Sequence, residues 1–274
     1  MIVKPFRGLR PRRDLASRIP SPPYDVLDSD EARKLAAEDP YTFLHVIKPE
    51  IDLDPGIDPY DERVYDRGRA SLRAMVENRW LVRDERPAYY VYRLATTDHV
   101  QTGIVGAAAV DDYLKNRIKR HELTREDKER DRTRHMEALS ANPGPVFMSY
   151  RDSADLDGLA ARVAESDPAA DFEDPTSVRH TLWVVDDPAI RDRIEEAFAA
   201  VPVSYIADGH HRAASAARVA ANRRANNPDH TGREAYNYFL TVHFPADQVR
   251  ILDYNRVIRD LGQLDAGGLL SRLR

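Results

Sequence analysis

The sequence predicts an α+β protein in which helices flank a mixed sheet. Three features lead to that class. Runs of β-branched and aromatic residues alternate with longer stretches whose apolar residues recur at helical spacing. Two early strand-like runs, "AYYVYRLATT" and "TGIVGAAAV", are split by a polar turn and predict an antiparallel hairpin. Farther on, strands and helices alternate without the regular period of a doubly wound sheet, which favours a mixed strand order.

The elements follow in order. "IPSPPYDVLD" is a proline-stiffened loop, after which Asp28 or Ser29 can N-cap a short helix that ends before Pro40. The acidic stretch "EIDLDPGIDPYDE" reads as a surface loop. It leads into a helix from about Tyr60 to Trp80, with Val64, Leu72, Met75 and Val76 on its apolar face. Beyond the hairpin, a short helix or turn precedes His121. Thr124 can then N-cap a long charged helix that stops before Pro143, and Glu126 and Asp127 suit its first turn. "PVFMSY" reads as a buried strand. A helix (Leu156 to Glu165), a strand (Arg179 to Val185) and a helix (Pro188 to Ala199) come next. The chain continues with a strand from Val203, a helix from Ala213 and a strand from Tyr238 to Phe244. With 274 residues the chain can bury one large core or two modest ones. We divide it into an N-terminal α+β region, 1–118, and a C-terminal region, 119–274. The last residues read as the start of another element, as if the chain stopped abruptly or were cut from a longer one.

Composition narrows the function classes. At 42% hydrophobic and 32% charged residues the chain reads as soluble and globular, and no apolar run approaches the roughly 18 residues of a membrane span. The start, "MIVKPFRGLRPRR", is basic without the apolar stretch of a secretory signal. Zero cysteines exclude disulfides, thiolate metal sites and a cysteine nucleophile, and fit a reducing cytoplasm. A net charge of −5 argues against a dedicated nucleic-acid binder.

The stretch "SYIADGHHRAASAARVAANRR" carries the chemistry. Asp208, Gly209, His210, His211 and Arg212 crowd the turn between a strand and a helix. A helix N-terminus exposes unpaired N–H groups and a partial positive charge, which suits an anion. Gly209 lets a phosphate approach the backbone, and Arg212 can fork two bonds onto it. Asp208 can hold Mg²⁺ beside the phosphates or orient a histidine. The plainer reading is that Asp208 caps the helix and the rest face solvent. In "KRHELT", Glu122 follows His121 at an element boundary, where a glutamate tuned by its surroundings can act as a general base. Lys128, Asp131 and Arg132 form a charged stripe downstream, which a solvated helix explains. His121-Glu122 is no HExxH zinc motif, because Arg125 stands where the second histidine belongs. A metal site assembled from His121, Glu122, His210 and His211 is sterically open, though nothing in the spacing favours it. Tyr24 and Asp25 of "PPYD", and Asn255 and Arg256 of "YNRVI", are candidate cleft residues or plain packing.

Taken together, "PPYDVLD", "KRHELT" with "KERDR", "ADGHHRAASA" and "LDYNRVI" resemble domain-of-unknown-function family 1015 over essentially the whole chain. Members of that family extend farther at the C-terminus. A narrower likeness joins the His-Glu pair and the DGHHR turn to the free serine kinases of the ParB/sulfiredoxin-like superfamily, whose Gly-x-x-Arg turn binds nucleotide phosphates. That likeness implies a ParB/sulfiredoxin-like fold for 119–274, ATP or ADP with Mg²⁺ on Asp208, and a small hydroxylated acceptor, free L-serine above all. It implies phosphate contacts from Gly209, His210, His211 and Arg212, with Lys128 and Arg132 added. Glu122 becomes the base and His121 or Lys128 steadies the transferring group. The stretch between the two motifs is much longer here than in the compact kinases, and the first hundred or so residues have no counterpart in them. The rivals are a nucleotide-binding regulatory module with weak or no turnover and a metal-dependent hydrolase built on the histidines.

Overall fold

In the computed structural model, which describes residues 1–151, 153–253, 258 and 260–273, the expected hairpin forms the middle of one large sheet. The strands are β1 (Val3–Lys4), β2 (Leu9–Pro11), β3 (Leu81–Arg83), β4 (Tyr89–Ala95), β5 (Val100–Ala109), β6 (Ile118–Lys119), β7 (Val146–Tyr150), β8 (Ala170–Glu173), β9 (Arg179–Val185), β10 (Ser204–Asp208) and β11 (Tyr238–Pro245). The helices are α1 (Ser29–Ala36), α2 (Leu44–Ile47), α3 (Glu62–Glu77), α4 (Val110–Leu114), α5 (Glu126–Leu139), α6 (Ala154–Val163), α7 (Pro188–Ala200), α8 (His210–Ala225) and α9 (Ala266–Leu273). Across the sheet the described strands run β6-β10-β7-β11-β5-β4-β9-β8. β1 pairs with β5 beyond the stretch paired with β4, and β2 and β3 form a separate pair. β6–β10 and β7–β11 are parallel pairs, whereas β5 is antiparallel to β4 and β11, so the sheet is mixed. No helix among the described residues is long and apolar enough to cross a membrane.

Strand β5 can serve as the hub because its residues are small. A Cβ on Gly106 would meet Val3 at 2.5 Å and the Tyr89 ring at 3.2 Å. Without one, Tyr89 reaches past it and donates its hydroxyl to the Val3 carbonyl at 2.7 Å. Helix α8 lies close to the sheet for a similar reason. Its buried face is Ala213, Ala214, Ala216, Ala217 and Ala220, residues of the highest helix propensity and the least bulk. Leu156 of α6 and Phe198 of α7 complete this core. A second apolar cluster, built on Leu15, Ile19, Val46 and Met75, sits under the N-terminal helices.

Several expectations change. The line between residues 118 and 119 runs through β6, and β4 and β5 pair with strands from beyond it, so both regions build one sheet. Helix α3 is shorter than the stretch from Tyr60 to Trp80, because Asp61 caps it and Arg79 turns left-handed at φ 57°. Asp28, not Ser29, caps α1, in a capping box with Glu31. Thr124 does not cap α5. Arg125 stands at that position without a side-chain bond, and the Thr124 hydroxyl donates to Glu129 instead. Nor is α5 a solvated charged helix. It packs between α3 and α8, with Asp131, Thr133 and His135 buried.

Two interior histidines make the fold sensitive to acid. His135 stands 2.8 Å from the Val46 carbonyl, and His243 lies 2.8 Å from the Thr241 hydroxyl. Among the described residues the Nδ1 atom of each has no hydrogen-bond partner. Burial pulls His135 down to about 4 and His243 down to about 3. Unfolded histidines titrate near 6.5. Below that pH the unfolded chain takes up protons that the folded chain refuses, so stability falls from pH 6.5 towards the folded values. Each histidine contributes a slope of about 1.4 kcal/mol per pH unit within its window. Urea denaturation of wild type and His243→Asn between pH 6.5 and 4.5 should show a shallower decline in the variant. Equal slopes would remove His243 from the account.

Candidate functional site

The site begins where β10 leaves the sheet. The register of β10 on β7 shifts between Ile206 and Asp208, and Gly209 then turns left-handed at φ 97° before α8 starts at His210. Asp208 does not cap the helix: Gly209 holds the N-cap position and brings no side-chain bond. The Asp208 carboxylate instead pairs with Arg212, whose other terminal nitrogen donates to the Pro145 carbonyl. The guanidinium thereby folds over Gly209, where an added Cβ would lie 3.0 Å from its Nε. Each terminal nitrogen of Arg212 thus gives one N–H to the protein, out of the five that a guanidinium carries.

The two histidines face the loop ahead of α5. His210 Nε2 accepts the backbone N–H of His121 at 3.4 Å, and His211 Nε2 accepts that of Arg125 at 3.2 Å. These bonds join positions 89 and 86 residues apart. Deeper along the same helix pair, the buried Ser215 donates to the Glu129 carbonyl at 2.9 Å, and Arg218 pairs with the Glu129 carboxylate at 2.8 Å. The start of α8 thus holds the start of α5, and a pair of adjacent histidines serves that purpose.

Glu122 lies inside this junction. One carboxylate oxygen is 3.4 Å from His210 Nδ1 and the other is 3.9 Å from His121 Nε2. The His121 ring stands edge-on to His210 with centroids 4.4 Å apart. One ligand-capable atom from each of His121, Glu122 and His210 lies within 4.8 Å of the others. His210 is 4% exposed, while the side chains of Glu122 and Asp208 are 62% and 68% exposed. Burial, with His121 beside it, holds the His210 imidazole below its ordinary range, against the opposing pull of Glu122 and Asp208. His210 therefore meets the loop twice, accepting the His121 N–H at Nε2 and standing against the Glu122 carboxylate at Nδ1.

The remaining predicted residues divide. Tyr24 comes near, with Arg132 stacked on its ring at 4.3 Å and the charge of Arg212 acting on its hydroxyl. Burial pushes that hydroxyl above its ordinary range, and exposed Asp25 adds to the rise. Arg132 donates from Nε and Nη2 to a single Asp131 oxygen, Oδ2, at 2.8 and 2.6 Å. Lys128 turns to Tyr60, 3.3 Å from its hydroxyl. Asn255 and Arg256 lie outside the described residues. The sequence reading missed the buried bond from Tyr65 to Asp131, 2.8 Å, and the use of the Arg125 backbone as a histidine partner. No local pattern signals either, since both are set by packing across distant segments.

Fold and site together define an α+β protein with a mixed central sheet and a two-segment histidine–glutamate junction at a helix N-terminus. The family model for DUF1015, described as a protein of unknown function, matches residues 3–274, and the chain belongs to that family. No curated protein and no solved structure matches it.

The turn itself is testable. Alanine at 209 has to hold a left-handed backbone, costing about 1–2 kcal/mol, with its Cβ pressed to 3.0 Å against the Arg212 guanidinium. Urea denaturation of Gly209→Ala should show at least that loss. A variant as stable as wild type would contradict this geometry.

Proposed function

We propose that the protein is a nucleotide-dependent phosphotransferase acting on a small hydroxylated metabolite, working in the cytoplasm. The observation that carries the reading is the contact between the His121-Glu122 loop and the Asp208-to-Arg212 turn. Phosphoryl transfer is mostly positioning and charge neutralisation, and it needs a base and a phosphate cradle around one acceptor oxygen. In this reading the first-turn N–H groups of α8 and the Arg212 guanidinium receive the terminal phosphates of ATP or ADP. Glu122 takes the proton of the acceptor hydroxyl. The hydroxyl oxygen forms a bond to the terminal phosphorus as the bond to the bridging oxygen breaks, and the shortened nucleotide leaves with that electron pair. His121 steadies the transferring group. Mg²⁺ fits Asp208 in part, since Arg212 engages Oδ2 and the exposed carboxylate can offer its other oxygen. Such an ion would neutralise phosphate charge.

The likeness to the free serine kinases makes L-serine the preferred acceptor. Absence of cysteine supports the cytoplasmic setting.

Glu122→Gln separates this enzyme from a nucleotide-binding regulatory module. The amide keeps size and polarity and cannot accept the proton. With ATP or ADP, Mg²⁺ and a panel of hydroxy amino acids, phosphorus NMR should show turnover in wild type and a fall of roughly 10²–10⁴-fold in the variant. Nucleotide affinity by calorimetry should barely change, because a base acts in the transition state. Full activity in the variant removes Glu122 as the base. No acceptor-dependent turnover in either form favours the regulatory module.

A further inference from the structure

We propose that His121, Glu122 and His210 form a binding site for one divalent cation of the class that takes imidazole and carboxylate ligands together, with Zn²⁺ as its probe. The site itself stands on geometry alone. Two imidazole rings from segments 89 positions apart turn nitrogens towards the same carboxylate, one at each oxygen. An ion pair with Glu122 accounts for His210 alone. It does not account for His121, set edge-on at 4.4 Å with its Nε2 on the free side of Glu122.

The distances suit a small ion. Zinc bonds of about 2.0–2.2 Å in a tetrahedron hold their ligand atoms roughly 3.4 Å apart. The His210–Glu122 pair already has that spacing, at 3.4 Å. His121 Nε2 lies 3.9 Å from the other Glu122 oxygen, and with one ligand atom taken from each residue the widest separation is no more than 4.8 Å. Closing the triangle to the tetrahedral spacing takes at most about 1.4 Å of movement along any side. The exposed His121 and Glu122 can supply it, while buried His210 stays anchored at the start of α8. Binding at His210 Nδ1 sends the ring proton to Nε2, which gives up the long 3.4 Å contact with the His121 N–H. Two imidazoles select against Mg²⁺, which prefers an all-oxygen shell. Three protein ligands leave a fourth position for water.

One consequence rests on the phosphotransferase reading. A carboxylate bound to the cation cannot take a proton from the acceptor, so occupancy of this site switches the base off.

The test uses Co²⁺ and Zn²⁺ alone, without nucleotide, on the full chain. Co²⁺ should give visible absorption bands of low-coordinate type at one ion per chain, and Zn²⁺ should abolish them. His121→Ala, on an exposed side chain that cannot threaten the fold, should weaken Zn²⁺ in calorimetry by roughly tenfold to hundredfold or more. His210→Ala should do the same, and His99→Gln, in another part of the molecule, should not. Absence of the bands, or Zn²⁺ affinity unchanged in both His121→Ala and His210→Ala, overturns the site and leaves the phosphotransferase reading standing. In the turnover assay, Zn²⁺ should inhibit wild type and a chelator should restore it. Turnover indifferent to Zn²⁺ at saturating occupancy overturns the switch and leaves the binding site standing.

Discussion

Two imidazole nitrogens hold this site together. His210 and His211 each accept a backbone N–H from the 121–125 loop, and through them the start of α8 fixes the start of α5. Neither bond is strong: an ordinary one is worth about 0.5–1.5 kcal/mol net, and the His210 contact is long at 3.4 Å. Their importance is geometric. The helices they join are already locked by Ser215 and Arg218 on Glu129, so the histidines decide where the loop's first residues sit. Glu122 falls against His210 as a result. Without acceptors at those positions, the loop N–H groups would turn to solvent and Glu122 would have no fixed place.

The same helix carries the N-terminal loop to the site. Asp131 is buried, receives the Tyr65 hydroxyl, and pairs with Arg132 through two guanidinium nitrogens. Breaking such a buried pair costs about 3–5 kcal/mol because one charge is left uncompensated. Arg132 is thereby held over the Tyr24 ring, a cation–π contact with the proline-stiffened stretch around it. Proline rigidity and a stacked arginine together keep Tyr24 where the charge of Arg212 still reaches its hydroxyl. The Arg132 guanidinium thus spans the Asp131 carboxylate and the Tyr24 ring.

Much of this was legible in the chain. The strand from Arg179 to Val185 coincides with β9, and the hairpin of β4 and β5 follows from its alternation and polar turn. The DGHHR turn stood out because five special residues interrupt an otherwise plain strand-to-helix step. Strands β1, β2, β3, β6 and β8 carry two to four residues each, too few for a period to show, and exist through pairing alone. The charged helix misled for a different reason. Periodicity reports which residues share a face, not whether that face meets solvent, and Asp131 is buried because Tyr65 and Arg132 meet its needs. Spacing could not reveal the His121–Glu122–His210 cluster, since topology brings its two segments together.

The central claim is that the 121–125 loop and the 208–212 turn act as one phosphate-binding site. The chain has nine histidines, and three of them stand at this junction. Proton–carbon correlation spectra of the imidazole rings, recorded while ATP or ADP is titrated in with Mg²⁺, address the claim directly. The account predicts that the His121, His210 and His211 resonances move together, with one dissociation constant, while the buried rings of His135 and His243 stay in place. Nucleotide binding that leaves all three resonances unmoved, or that shifts only rings elsewhere in the molecule, would contradict it.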